Sequence, residues 1–199
     1  MPPVVALKKL VTGMVLAGGA AAIGVASSRP PGRELDHALF ADVNAGHGPA
    51  ADRIFGETTE LGSLYAAGAA AAVLAVAGRR NAAMRAAGAA GVAWLAGQGL
   101  KKLVVRPRPY HADTEGTRRM IAEPQGTSWP SSHPAVLTAF TRIAARELGL
   151  GRISLAALTG LDLVVAASRV YLGVHYPSDV GGGLLMGRAI AAVWPGGRG

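Results

Sequence analysis

The sequence predicts an all-α integral membrane protein: six transmembrane helices in one bundle, with short amphipathic interfacial helices between the first and second spans. Three observations carry this reading. Half of the 199 residues are hydrophobic and only 16% are charged, against about 25% charged in an average soluble domain. The apolar residues gather into runs close to the roughly 20 residues that a helix needs to cross a bilayer. Basic pairs such as Lys8-Lys9, Arg79-Arg80 and Lys101-Lys102 stand at the ends of those runs. The net charge of +8 therefore fits an anionic leaflet and an anionic ligand, not nucleic acid. With no cysteine in the chain, a disulfide framework and a thiolate metal site are both excluded. Residues 1–199 read as a single membrane domain.

The first span covers about 10–28. A signal peptide shares its basic start and Ala-rich run, but the length favours a retained helix. Arg29-Pro30-Pro31-Gly32 ends it. In the interfacial segment 33–60, Leu35, Leu39, Phe40, Val43, Ile54 and Phe55 recur among Asp36, Asp42, Asp52 and Glu57. That pattern predicts two short amphipathic helices, divided near 44–49 and lying at the membrane surface. His37 and His47 lack metal-ligand company and read as surface histidines.

The second and third spans, about 61–77 and 82–101, are crowded with Ala and Gly, which lets helices approach closely inside lipid. The alternating prolines of Arg106-Pro107-Arg108-Pro109 stop the third. A polar loop leads through Pro130-Ser131-Ser132-His133 to the fourth span, 134–150, and a glycine turn leads to the fifth, 153–172. Pro177 suits the first turn of the sixth, 178–195, where its missing N–H has no helical partner. Gly183 and Gly187 form a GxxxG packing face in that span. Six spans put both termini on one side, so that Lys8, Lys9, Arg79, Arg80, Arg146, Arg152 and Arg198 are cytoplasmic. Arg106, Arg108, Arg118 and Arg119 fall on the other side, an exception that anion binding by some of them explains.

This topology brings the loops 101–133 and 168–179 to one face, outside the cytoplasm. Lys101, Arg108 and Arg169 can neutralise the nonbridging oxygens of a phosphate ester, and such charge stabilisation is most of phosphoryl transfer. Ser131 and Ser132 open a helix whose unpaired amides favour an anion. His133 and His175 remain to attack and to protonate, and a neutral imidazole serves either task near neutral pH. Asp179 can fix the tautomer of His175. Lysines at a helix end commonly snorkel; the spacing to Arg108 singles out Lys101 over Lys102. Arg106, Arg118 and Arg119 read as solvated or headgroup-facing charges, and Ser168 as bonded to its own turn. Tyr110, Trp129, Tyr171 and Tyr176 read as an interface belt. Asp162 is expected to face the bundle interior.

Lys101-x6-Arg108-Pro109, Pro130-Ser131-Ser132-His133 and Ser168-Arg169-x5-His175-x3-Asp179 resemble the three signature motifs of the type-2 phosphatidic acid phosphatase superfamily, with ten fixed positions in order. The resemblance implies a metal-free and cofactor-free mechanism. In it, His175 attacks phosphorus to form a phosphohistidine, with Asp179 orienting its ring. His133 protonates the leaving oxygen and later activates water. It also implies a lipid phosphate monoester or diphosphate as substrate, hydrolysed at the extracytoplasmic face of a bacterial inner membrane. A polyprenyl phosphate, a polyprenyl diphosphate or a phosphorylated polyprenyl-sugar is favoured over phosphatidic acid or phosphatidylglycerol phosphate. Ser132 departs from the glycine usual in the family: a positive φ would strain it, whereas an ordinary φ adds a hydroxyl donor. The competing reading is a transporter or channel for an anionic solute, whose polar residues would run along the spans.

Overall fold

A computed structural model describes residues 3–196, and within them every regular element is helical. The helices are α1 Pro3–Ala26, α2 Gly32–Asn44, α3 Pro49–Thr58, α4 Leu64–Val76, α5 Arg80–Leu103, α6 Pro109–Ala112, α7 Ser132–Glu147, α8 Arg152–Tyr171 and α9 Pro177–Val193. A 3-10 turn, Thr59–Gly62, joins α3 to α4.

The bundle is organised around α7, twelve of whose sixteen residues are buried. It packs against α4, α5, α8 and α9. Small residues make this possible. On α5, Ala86, Ala89, Ala90 and Ala93 are wholly buried at helical spacing, facing Ala135, Val136, Ala139 and Ile143 of α7. On α9, a Cβ at Gly183 would stand 2.3 Å from the Ser131 carbonyl, and one at Gly187 would stand 2.6 Å from that of Ala135. The GxxxG pair is thus the face on which α9 meets α7. On the outside, α1 lies along α9 and leaves Leu7, Leu10, Met14 and Val15 exposed, a surface suited to lipid.

Two helices, Val4–Ala26 and Arg152–Tyr171, are long and apolar enough to cross a membrane by themselves. The pair Pro49–Gly62 and Leu64–Val76, bent by 67°, makes a third if taken as one broken span. Six principal helices, α1, α4, α5, α7, α8 and α9, stand where the six spans are expected, but length and composition mark only two or three crossings. The expected second span, 61–77, is shorter than foreseen. Ser63 caps α4 by accepting from the Ala66 N–H at 3.1 Å, so the helix starts there. Thirteen residues reach only about 20 Å of the roughly 30 Å hydrocarbon core.

The interfacial segment divides where expected, but α2 is more than a surface helix. Asp36, Phe40 and Asn44, four residues apart, turn inward onto the ends of α8 and α9. The expected aromatic belt is also corrected. Tyr110, Trp129, Tyr171 and Tyr176 are all buried, because α2, α3 and the 104–131 loop fold over the ends of the helices that carry or face them.

Candidate active site

Lys101, Arg108, Ser132, His133, Arg169 and His175 line one cavity of about 300 Å³, together with Gln98, Trp94 and Tyr65. Three stretches of chain, 101–108, 132–133 and 169–175, deliver the first six. Lys101 and Arg169 lie in the last turns of α5 and α8, and Ser132 and His133 in the first turn of α7. Arg108 and His175 come from the loops that follow α5 and α8. The chain reaches His175 through Gly173 (φ +78°), where a Cβ would lie 2.6 Å from the Arg118 carbonyl. The amides of Val174 and His175 both donate to the Arg169 carbonyl at 3.2 Å, which ties the loop to its helix.

His175 is 2% exposed. Its Nε2 faces the cavity and lies 3.2 Å from Nη1 of Arg108. Its Nδ1 faces Asp179 Oδ2 at 3.4 Å. Arg108 can only donate to Nε2, which selects the tautomer protonated at Nδ1 and leaves the Nε2 lone pair toward the cavity. Among the described residues Nδ1 itself makes no hydrogen bond, although the Asp179 carboxylate favours its proton electrostatically. Burial, reinforced by Arg108, Arg169 and Lys101, holds the imidazole's pKa well below its ordinary value, so the ring is neutral.

Arg108 is itself fixed. It donates to the carbonyls of Gly126 (2.9 Å), Val174 (2.9 Å) and Gln125 (3.2 Å), joining the loops that follow α5 and α8. Arg169 donates to Thr59 Oγ1 at 2.7 Å, so the 3-10 turn before α4 braces a residue of α8. His133 fits because residue 62 is glycine, where a Cβ would come within 2.8 Å of the histidine Cβ.

Ser132 takes an ordinary conformation, since no described non-glycine residue has a positive φ. Its Oγ has no partner among the described residues. Gly97 of α5 makes room for it, since a Cβ there would lie 3.0 Å from that oxygen. Ser131 and Asp179 do not line the cavity. The expectation that the Ser131 amide serves an anion is corrected: it donates to the Asp179 carbonyl at 3.0 Å.

Asp179 is wholly buried behind His175. Its carboxylate accepts from Arg106 Nη1 at 2.7 Å, from the Tyr176 amide at 2.8 Å and from the Ser128 hydroxyl. Arg106 in turn donates to Asp36 at 2.5 Å and lies over the Tyr176 ring at 4.4 Å. Reading Arg106 as a solvated charge was therefore wrong. Burial of Asp179 demands a cation, and Arg106 supplies it. The signal was present in the inward spacing of Asp36, Phe40 and Asn44, which sets a carboxylate on the apolar face of α2. Arg118 is corrected likewise, since it pairs with Asp52 at 2.6 Å and reaches the Tyr171 hydroxyl. Arg119 is exposed and lies over Tyr110. Ser168 bonds its own turn through the Val165 carbonyl at 2.7 Å. Asp162 is buried and accepts from Thr141 at 3.2 Å, facing inward as expected. Among the described residues, no group of three or more His, Asp or Glu side chains is placed to hold a metal ion.

The chain is similar to solved phosphatase structures over most of its length. One is the first transmembrane PAP2 type phosphatidylglycerolphosphate phosphatase from Bacillus subtilis, with a TM-score of 0.74 at 20% identity, covering 90% of this chain and 92% of that one. Aquifex aeolicus LpxE superposes with a TM-score of 0.71 at 24% identity, covering 79% and 92%. In sequence, the chain is 35% identical over 98 residues to the decaprenylphosphoryl-5-phosphoribose phosphatase of Mycobacterium tuberculosis, covering 47% of this chain and 49% of the relative. It is 34% identical over 112 residues to the enzyme of that name from Mycolicibacterium smegmatis, covering 56% and 58%. The chain thus spans about half the length of the curated relatives it matches. The family model of the PAP2 superfamily matches residues 82–196, the stretch that carries all three motifs, and the chain belongs to that superfamily.

Proposed function

We propose that this protein is an integral-membrane phosphatase that removes phosphate from a polyprenyl-type lipid through a phosphohistidine formed on His175. The observation that carries the reading is the setting of that ring. A neutral Nε2 points into a cavity lined by Lys101, Arg108 and Arg169, while a buried carboxylate stands behind Nδ1. A phosphate in the cavity draws Arg108 onto its own oxygens and frees the Nε2 lone pair. Burial, then Arg169, His175, Lys101 and Arg108, hold the pKa of His133 low in the chain by itself; the incoming phosphate dianion offsets those cations and brings His133 its proton. As the N–P bond forms and the bond to the lipid oxygen breaks, the His133 imidazolium gives that oxygen this proton. The same imidazole then takes a proton from water, whose oxygen attacks phosphorus and releases inorganic phosphate and neutral His175. The three cations bear the charge of the equatorial oxygens, and the free Ser132 hydroxyl adds a donor.

A lipid substrate is favoured by the mouth of the cavity. Leu64 and Tyr65 of α4 and Trp94 of α5 line it and are exposed, offering an apolar path from the bilayer between those helices. The polyprenyl class, and within it a phosphorylated polyprenyl-sugar, is favoured by the likeness to the decaprenylphosphoryl-5-phosphoribose phosphatases. Gln98 lines the same cavity and is available to a sugar hydroxyl. We assign the site to the extracytoplasmic face and all six principal helices to spans, on the distribution of basic residues.

The test is phosphate release by the purified chain in detergent. The panel holds a polyprenyl phosphate, its diphosphate, a 5-phosphopentosyl polyprenyl phosphate, phosphatidic acid and phosphatidylglycerol phosphate. The highest kcat/KM is expected for a polyprenyl substrate. Preference for a glycerophospholipid would overturn the substrate class, and release from none of them would overturn the activity.

A further inference from the structure

Three arginines converge at the other end of the bundle. Arg142 and Arg146 of α7 and Arg188 of α9 line an open cavity of about 500 Å³ with Thr159, Ala191 and Ala192. Arg142 lies nine residues beyond His133 on α7, and Arg188 nine residues beyond Asp179 on α9. Thr159 lies ten residues before Arg169 on α8. At 1.5 Å per residue each is about 14–15 Å along its helix from the candidate active site. This cavity is therefore a separate site.

Its charge is offset only in part from within. Among the described residues, no carboxylate lies within ion-pair distance of Arg142 or Arg188. Among the described residues, the Arg142 side chain donates only to Thr159 Oγ1, at 2.7 Å, and the Nε atoms of Arg142 and Arg188 are buried without a partner. Arg146 reaches the carbonyls of Ala191 (3.3 Å) and Pro195 (3.2 Å), which pins it at the rim. Of the acids nearby, Glu147 is taken by Arg85 at 3.0 Å and is 3.6 Å from Arg146. Asp162 is buried against Thr141, near enough to Arg142 and Arg188 to feel their charge but beyond ion-pair distance of either. Cations at this depth in a membrane bundle are costly unless paired.

We infer that this cavity binds the phosphodiester headgroup of an anionic phospholipid. A lipid is favoured over a free anion because the cavity borders surfaces made for hydrocarbon. Leu163 and Val164 of α8 and Val193 of α9 are exposed apolar side chains on two of the helices that form it. Guanidinium forks match the paired oxygens of a phosphodiester, and basic pockets between membrane helices hold such headgroups. The inference does not depend on the activity proposed for the opposite end.

Native mass spectrometry of the purified chain with equal amounts of phosphatidylglycerol and phosphatidylcholine tests it. Phosphatidylglycerol should be retained roughly tenfold or more over phosphatidylcholine, the size of one charge-assisted contact. Arg142→Gln with Arg188→Gln should bring the ratio near one, while hydrolysis of a water-soluble aryl phosphate stays unchanged. Excess inorganic phosphate should not displace the lipid. Equal retention of the two lipids by the unaltered chain overturns the inference, as does a preference that survives the double variant. Displacement by phosphate that depends on Arg142 and Arg188 overturns the lipid in favour of a free anion. The competition on the unaltered chain decides the matter alone if the double variant does not fold.

Discussion

Arg106 and Asp179 form a buried ion pair at 2.7 Å, with Asp36 of α2 holding the other side of the guanidinium at 2.5 Å. Asp179 stands behind His175, so a helix outside the signature motifs braces the proposed nucleophile. Arg106→Ala leaves a carboxylate wholly buried without its cation. The expected cost is about 3–5 kcal/mol of stability, as for other buried pairs broken on one side. Arg106→Lys keeps the charge and should recover part of both stability and kcat. Thermal unfolding and phosphate release, measured on both variants, check this. An Arg106→Ala protein of full stability and rate would show that the pair does not matter.

Gly97 and Ser132 share one small space across α5 and α7, with 3.0 Å between the serine Oγ and a Cβ placed on the glycine. Ser132→Gly should therefore be active, losing about tenfold or less with the hydroxyl donor. Gly97→Ala should impair the wild-type chain but be tolerated beside Ser132→Gly. A double-mutant cycle on kcat/KM reads the coupling; simple additivity would place the two residues out of contact.

Stability should fall in acid on account of His175. Burial first, then Arg108, Arg169 and Lys101, keep its folded-state pKa well below the ordinary value. The unfolded chain takes up a proton below about pH 6.5 that the folded chain refuses. Stability present above that pH is thus lost as pH falls toward the folded pKa, by at most about 1.4 kcal/mol per pH unit. His175→Gln should flatten the thermal-unfolding profile between pH 7 and 5. An unchanged slope would show that the ring is already charged in the folded protein.

Phosphate release should persist in excess chelator, because Lys101, Arg108 and Arg169 already supply positive charge around the cavity. Loss of activity that Mg²⁺ restores would contradict that division of labour.

The signature residues were legible because each motif packs its chemistry into a few positions at a helix end. The alternation of span ends along the chain then placed Lys101, His133, Arg169 and His175 on one face. Arg106 was legible only by half: the inward spacing of Asp36, Phe40 and Asn44 marks a buried carboxylate, but its partner is 70 residues away and no local pattern names it. Loops that fold over a bundle end have no period, so the burial of Tyr110, Trp129, Tyr171 and Tyr176 escaped notice. The number of crossings is a different matter. Neighbours shield α7 from lipid, and a shielded helix can carry polar residues such as Thr138 and Thr141 without an apolar face all round. On the proposed six-span assignment, composition understates which helices lie within a membrane.

Whether His175 is phosphorylated is best measured by rapid quenching of His133→Ala with a radiolabelled aryl phosphate. An acidic phenol leaves with little help from a general acid, a contribution typically worth about 10²–10⁴-fold. Phosphorylation should therefore proceed while dephosphorylation, lacking its base, stalls. A burst of phenol and an acid-labile label that peptide mapping places on His175 are expected, with neither burst nor label in His175→Ala. Label on another residue, or turnover by His175→Ala, would contradict the mechanism.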